Sequence, residues 1–223
     1  MARPTKENVF LFVPNLIGYV RVILAVLSLL VMPTRPLTCV ALYCVSCLLD
    51  AVDGNAARYF NQCSRFGAVL DMVTDRCTTI CMLCHLASVF PSAAVVFQLL
   101  ISLDLSSHYM HMYSSLVAGA ASHKMISKSR SAILRAYYSN SHVLFLFCAG
   151  NELFFVAVYL LSFTLAASTV ALPAWLPVAG LQWLALATLP ICAGKQIISV
   201  IQMVGASRAL AEKDLAERAE KQL

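Results

Sequence analysis

The sequence predicts an all-α polytopic membrane protein with six transmembrane helices and both termini in the cytosol. Three observations carry that prediction. Of 223 residues, 60% are hydrophobic and only 12% charged, with a mean hydropathy of +0.78. A soluble domain carries about 25% charged residues, so a water-facing protein of this length has no place for so much apolar surface. Apolar stretches recur at the roughly 20 residues needed to cross a bilayer. Basic residues gather in alternate connections, as the positive-inside rule requires.

The first expected span covers residues 10–32. The segment Met1–Asn8 ahead of it lacks a signal-peptide pattern: the following apolar run is too long for an h-region, and no small-residue cleavage motif follows. The next spans cover 36–58, 67–90, 93–116, 142–166 and 175–206, with Pro91 in the turn between the third and fourth. The last is too long for one straight crossing, so part of it is expected to tilt or lie in the interface. Residues 207–223 are charged and rich in Ala, Glu and Lys, and read as a short solvated helix. The expected organisation is a transmembrane domain over 1–206 and a charged cytosolic tail over 207–223.

The net charge is +5. Arg3 and Lys6 precede the first span, and Arg58 and Arg65 flank the second connection. Lys124, Lys128, Arg130 and Arg135 lie in the fourth connection, and Arg208, Lys213, Arg218 and Lys221 follow the sixth span. The remaining connections carry only Arg35. With six spans, all four basic segments fall on one side, the cytosol. The nine cysteines are an odd number scattered along the spans and do not form a disulfide framework. The pairs Cys44/Cys47 and Cys81/Cys84 read as buried thiols.

Eleven residues are acidic, and six lie within expected spans: Asp50, Asp53, Asp71, Asp75, Asp104 and Glu152. A carboxylate at membrane depth is costly and therefore a functional candidate. At about 100° per residue, Asp50, Asp53, Gly54 and Ala57 share one face of the second helix, and Gly67, Asp71 and Asp75 one face of the third. The short connection 59–66 makes these helices antiparallel neighbours. Asp53 and Asp71 then lie roughly 6–8 Å from the loop, and Asp50 and Asp75 roughly 12 Å, at 1.5 Å per residue. Four like charges in one pocket need cations. Arg21, Arg76 and Lys195 are the cations within the spans, and three could serve one or two acids but not the cluster in full. All-oxygen ligation favours Mg²⁺ or Mn²⁺, and two such ions would offset four carboxylates and also hold a pyrophosphate. Gly54 and Ala57 leave room for a bulky group beside the backbone, and Arg58 can make a bidentate phosphate contact.

The pattern Asp50-x-x-Asp53-Gly54-x-x-Ala57-Arg58, eight residues, Gly67-x-x-x-Asp71-x-x-x-Asp75 resembles the signature of the CDP-alcohol phosphotransferase family at every fixed position. The resemblance implies transfer of a phosphatidyl group from CDP-diacylglycerol to an alcohol, with release of CMP and two Mg²⁺ or Mn²⁺ ions. It implies that Asp50, Asp53 and Asp71 ligate metal. Asp75 would ligate the second metal and act as general base on the acceptor hydroxyl. Gly54, Arg58 and Ser64 would contact CDP-diacylglycerol, and Lys124 and Arg135 the acceptor. Residues 8–19, 61–67 and 148–154 resemble the branch of the family whose acceptor is myo-inositol; glycerol phosphate, serine, choline and ethanolamine are the alternatives. A homodimer is implied in the same way; the lack of a signal-peptide pattern and the lipid-synthetic role suggest the endoplasmic reticulum membrane, and the basic connections turn the active site to the cytosol.

A different class, a divalent-cation transporter, would stagger its acids through the membrane, whereas here they bunch near one surface. Pro14 and Asn15 open the first span, and Arg21 follows within it. Asn15 and Arg21 either shape the pocket or serve structure, Arg21 by snorkelling or pairing with an intramembrane acid. Asp104, His108 and His111 share one helical face, with metal-ligand spacing; the more ordinary reading is a polar stripe facing the bundle interior. His123 and the lysines and arginines after it fit positive-inside topology. Asn151 and Glu152 read as an interhelical polar contact.

Overall fold

Caps and prolines set where the chain turns into helix. The computed structural model describes residues 7–118, 132–165 and 170–221, and every regular element among them is helical. A 3-10 turn over Val9–Leu11 is capped by Asn8, whose side chain accepts from the Phe10 amide. It leads into α1 (Val13–Val31), with Pro14 in the first turn, where a missing amide hydrogen costs nothing. α2 (Pro36–Tyr59) likewise begins on proline. α3 (Arg65–Val89) begins after Ser64, whose Oγ accepts from the Gly67 amide at 2.9 Å. A 3-10 turn over Pro91–Ala93 precedes α4 (Ala94–Val117). Then come α5 (Ala132–Ser139), α6 (Ser141–Ser162) and α7 (Val178–Glu220). Asn140 caps α6 by accepting from the amides of His142 and Val143.

The chain divides into two compact units, residues 1–81 and 82–223. In the first, α1 packs along α2, and a Cβ on Gly18 would come within 2.8 Å of Leu70. The Leu70 side chain of α3 therefore lies against α1 at Gly18, where a Cβ would have to displace it. The tight turn between α2 and α3 has Asn61 in the left-handed region (φ 53°), which Asn tolerates better than most residues. Gln62 in that turn accepts from the Val13 amide at 2.9 Å, so the turn is fastened to the start of α1. In the second unit, α4 and α6 pack on α7, and α5 packs on α6 and α7 around Leu134, Tyr137 and Ile198.

Among the described residues, five helical stretches are long and apolar enough to cross a membrane: α1, α2, Pro91–Val117, α6 and α7. α3, at 25 residues, has the length, but Asp71, Asp75, Arg76 and His85 interrupt its apolar sequence. Large apolar side chains such as Leu30, Leu48, Leu99, Phe145 and Trp183 point outward. That exterior suits lipid and would aggregate in water.

Two expectations about the chain's second half need correction. α7 runs unbroken for 43 residues, about 64 Å at 1.5 Å per residue, so the tail up to Glu220 is helical and largely exposed, as expected, but continues the last expected span instead of forming a helix of its own. Between Ala206 and Glu220 there is neither Gly nor Pro, and Ala, Leu, Glu, Lys and Arg, all strong helix formers, dominate. α5 was expected only as connecting loop. The cysteine expectation also fails in part: no disulfide joins any of the nine, but Cys47 and Cys84 are exposed and Cys44 and Cys81 only half-buried.

Candidate active site

Arg21, on α1, is the centre of the aspartate cluster. Its guanidinium is 2% exposed and reaches all four carboxylates. Nη1 donates to Asp53 Oδ2 at 2.7 Å and to Asp71 Oδ1 at 2.9 Å. Nη2 pairs with Asp50 Oδ1 at 2.8 Å and donates to Asp75 Oδ1. Each terminal nitrogen therefore bridges one carboxylate from α2 and one from α3, and the pairs are those the helical rise places at equal depth. Ser46 donates to the Arg21 carbonyl at 3.1 Å, pinning α1 to α2 at this level.

This overturns the sequence argument that the cations available could serve only one or two acids. One guanidinium serves four, because its planar fork carries five N–H donors. A formal excess of negative charge remains, because two arginines, Arg21 and Arg76, face four carboxylates. Asp50, Asp53 and Asp71 each place a carboxylate oxygen within 4.8 Å of the others, close enough to share one ion. Such an all-oxygen donor set fits a hard divalent cation. Asp75 is not in that triad. It joins the cluster through Arg21, and its other oxygen lies 3.6 Å from Arg76.

The remaining signature residues divide by role. Gly67 is tightly packed: a Cβ there would sit 2.7 Å from Asn15 Oδ1 and 3.0 Å from Ser64 Oγ. Asn15 is itself 1% exposed and donates to the Val9 carbonyl at 2.6 Å. This gives Asn15 and Ser64 structural duties, Ser64 as the α3 cap. Gly54 has no such neighbour; a Cβ would meet only the tip of Arg58, at 3.7 Å. Arg58 is exposed at the end of α2 and donates to Asn55 Oδ1 at 2.7 Å. Gly67→Ala is therefore expected to lower stability by about 1–3 kcal/mol through overpacking. Gly54→Ala should leave it unchanged or raise it by up to about 1 kcal/mol, since Ala suits a helix interior better. Thermal unfolding of the two variants in detergent checks the contrast.

Asp104, His108 and His111 form a polar stripe on α4. Asp104 and His111 are buried, and His108 Nδ1 lies 2.8 Å from the Asp104 carbonyl and 3.5 Å from its carboxylate. His111 stacks on Tyr138 of α5 at 5.8 Å between ring centroids. Among the described residues these three do not converge as metal ligands. Asn151 accepts from Gln196 at 3.1 Å and from Cys192 at 3.3 Å, the interhelical contact expected of it. Lys124 lies outside the described residues, and so does the side chain of Arg135. Lys195, counted in the sequence only as a cation within a span, is buried on α7 and donates to Tyr137 Oη at 3.2 Å. A lysine inside an apolar span was the signal for it.

A helical membrane scaffold that converges four signature carboxylates defines a class, and comparison with known proteins agrees. The family model described as CDP-alcohol phosphatidyltransferase matches residues 11–191. The chain belongs to that family. It is 51% identical over 221 residues to the CDP-diacylglycerol–inositol 3-phosphatidyltransferase of Schizosaccharomyces pombe, covering 95% of this chain and 93% of the relative. It is 49% identical to the protein of that name from Rattus norvegicus (97% of this chain, 99% of the relative). The Homo sapiens protein is 48% identical (96% and 98%). No solved structure matches the chain.

Proposed function

We propose that this chain transfers the phosphatidyl group of CDP-diacylglycerol to myo-inositol, giving phosphatidylinositol and CMP. The observation that carries the reaction class is the converged carboxylate cluster on α2 and α3. Near-full-length identity of about half to relatives bearing that activity in their name supports inositol as the acceptor. Bound at Asp50, Asp53, Asp71 and Asp75, two Mg²⁺ or Mn²⁺ ions would offset the negative charge of the pyrophosphate and of the departing CMP.

The chain's own residues do the rest. Gly54 leaves the α2 backbone open to the nucleotide, and Arg58 at the mouth offers its fork to a phosphate. Ser64 offers the lipid nucleotide a hydroxyl. Asp75 takes the proton from the acceptor hydroxyl as its oxygen attacks phosphorus, and the phosphorus–oxygen bond to CMP breaks. Lys124 and Arg135 contact the acceptor. α3 also crosses the membrane, which brings the spans to six and puts both termini in the cytosol. The enzyme works as a homodimer in the endoplasmic reticulum membrane, its site facing the cytosol, while the acyl chains stay in lipid. Gly54→Ala then slows turnover despite its neutral effect on folding, measured as CMP release at saturating inositol.

The acceptor is tested by offering purified enzyme CDP-diacylglycerol and Mn²⁺ with inositol, serine, glycerol phosphate, choline or ethanolamine in turn. CMP release with inositol alone is the expected result. Release with another alcohol and none with inositol would keep the reaction class and remove the acceptor.

A further inference from the structure

We infer that Arg21 is a built-in counter-cation of the carboxylate cluster, and that divalent metal competes with it for those carboxylates. The inference rests on the metal reading above. It concerns a residue outside the aspartate signature, on a different helix.

Arg21 is among the largest fully buried side chains of the protein and sits on a membrane-spanning helix. A buried cation needs close anionic partners. Arg21 has four, and they are the four signature aspartates. Before any metal arrives, the cluster has to hold together against its own repulsion. The fork does this by joining α2 to α3 twice, once at each depth.

Metal changes the balance. The oxygens that Asp50, Asp53 and Asp71 can offer an ion lie within 4.8 Å of one another, and each of the same carboxylates already binds a guanidinium nitrogen at 2.7–2.9 Å. An ion placed among them sits a few ångströms from the fixed positive charge of a buried guanidinium. Like charges at that distance repel strongly. Two cations drawn to one set of carboxylates and repelling one another bind antagonistically, and the coupling is reciprocal. Arg21 therefore has two effects: it stabilises the metal-free protein, and it weakens metal binding, which keeps the ions exchangeable. Arg21 touches no substrate in this account; it is a positioning residue.

The test is Mn²⁺ binding to purified full-length protein in micelles, followed by electron paramagnetic resonance, with thermal unfolding in EDTA and in saturating Mn²⁺. Arg21→Gln is expected to bind Mn²⁺ about tenfold more tightly than wild type, the scale of ordinary coupling between two sites. Its melting temperature should fall in EDTA and recover most of the loss in Mn²⁺. A purely structural arginine would give the same loss under both conditions and unchanged affinity. Arg21→Lys serves if the Gln variant fails to fold. A lysine is a point charge that cannot bridge both depths, so it too should bind Mn²⁺ more tightly than wild type. Equal or weaker Mn²⁺ binding by the folded variants overturns the inference while leaving the metal reading intact. Absence of Mn²⁺ binding by wild type overturns both.

Discussion

Asp75→Asn is expected to reduce phosphatidyl transfer by about 10²–10⁴-fold, the usual contribution of a positioned general base. The amide has nearly the shape of the carboxylate, and its oxygen can still accept from Arg21 Nη2, so the join between α1 and α3 is kept. What it lacks is the ability to take a proton from a hydroxyl. Asp75 is also the one signature acid outside the metal-capable triad, so its replacement leaves the converging oxygens of Asp50, Asp53 and Asp71 in place. The expected pattern is a large fall in the rate of CMP release with little change in binding of CDP-diacylglycerol. A comparable fall in lipid binding would make Asp75 a substrate-site ligand first and a base second.

The second large effect is expected at Asp53, the most buried of the four carboxylates at 7% exposure. It belongs to the triad and also receives the 2.7 Å bond from Arg21 Nη1. Asp53→Asn removes one anionic ligand while keeping its volume. Mn²⁺ binding should weaken by at least the roughly 10–100-fold that loss of an outer partner of a metal ligand costs. Turnover should fall with it, and raising Mn²⁺ should restore part of the loss. The two aspartates thus predict different behaviour: metal rescues Asp53→Asn and does not rescue Asp75→Asn. Rescue of both, or of neither, would mean that base and ligand have been assigned to the wrong residues.

The cluster was legible in the sequence because two simple rules converge there. Helical periodicity put Asp50 and Asp53 on one face and Asp71 and Asp75 on another, and the short turn at 59–66 matched their depths. Arg21 then joins the carboxylates in those same pairs. The hub itself was not legible. A sequence shows that Arg21 lies in a span, but its reach across to two other helices is a matter of how the helices pack, as at the Leu70 contact with Gly18 and the Ser46 bond, neither of which a spacing encodes. The charge count misled for a related reason, since it gave each cation one partner although a guanidinium can hold several. Cys47 and Cys84 show a further limit. Lipid is as apolar as a side-chain core, so an apolar face does not tell inside from outside. α5 was lost because eight residues give too little periodic signal beside long spans, and α7 was cut short because its change from apolar to charged residues looked like an ending. Helix propensity runs straight through that change.

The measurement that tests the account most directly follows labelled myo-inositol and CMP together. Purified protein in micelles is given CDP-diacylglycerol and Mn²⁺, with an EDTA-treated control. The account predicts labelled lipid and CMP in equal amounts, both lost in EDTA and both restored by Mg²⁺ or Mn²⁺. Failure to release CMP from CDP-diacylglycerol with any alcohol, metal present and protein folded, would contradict it.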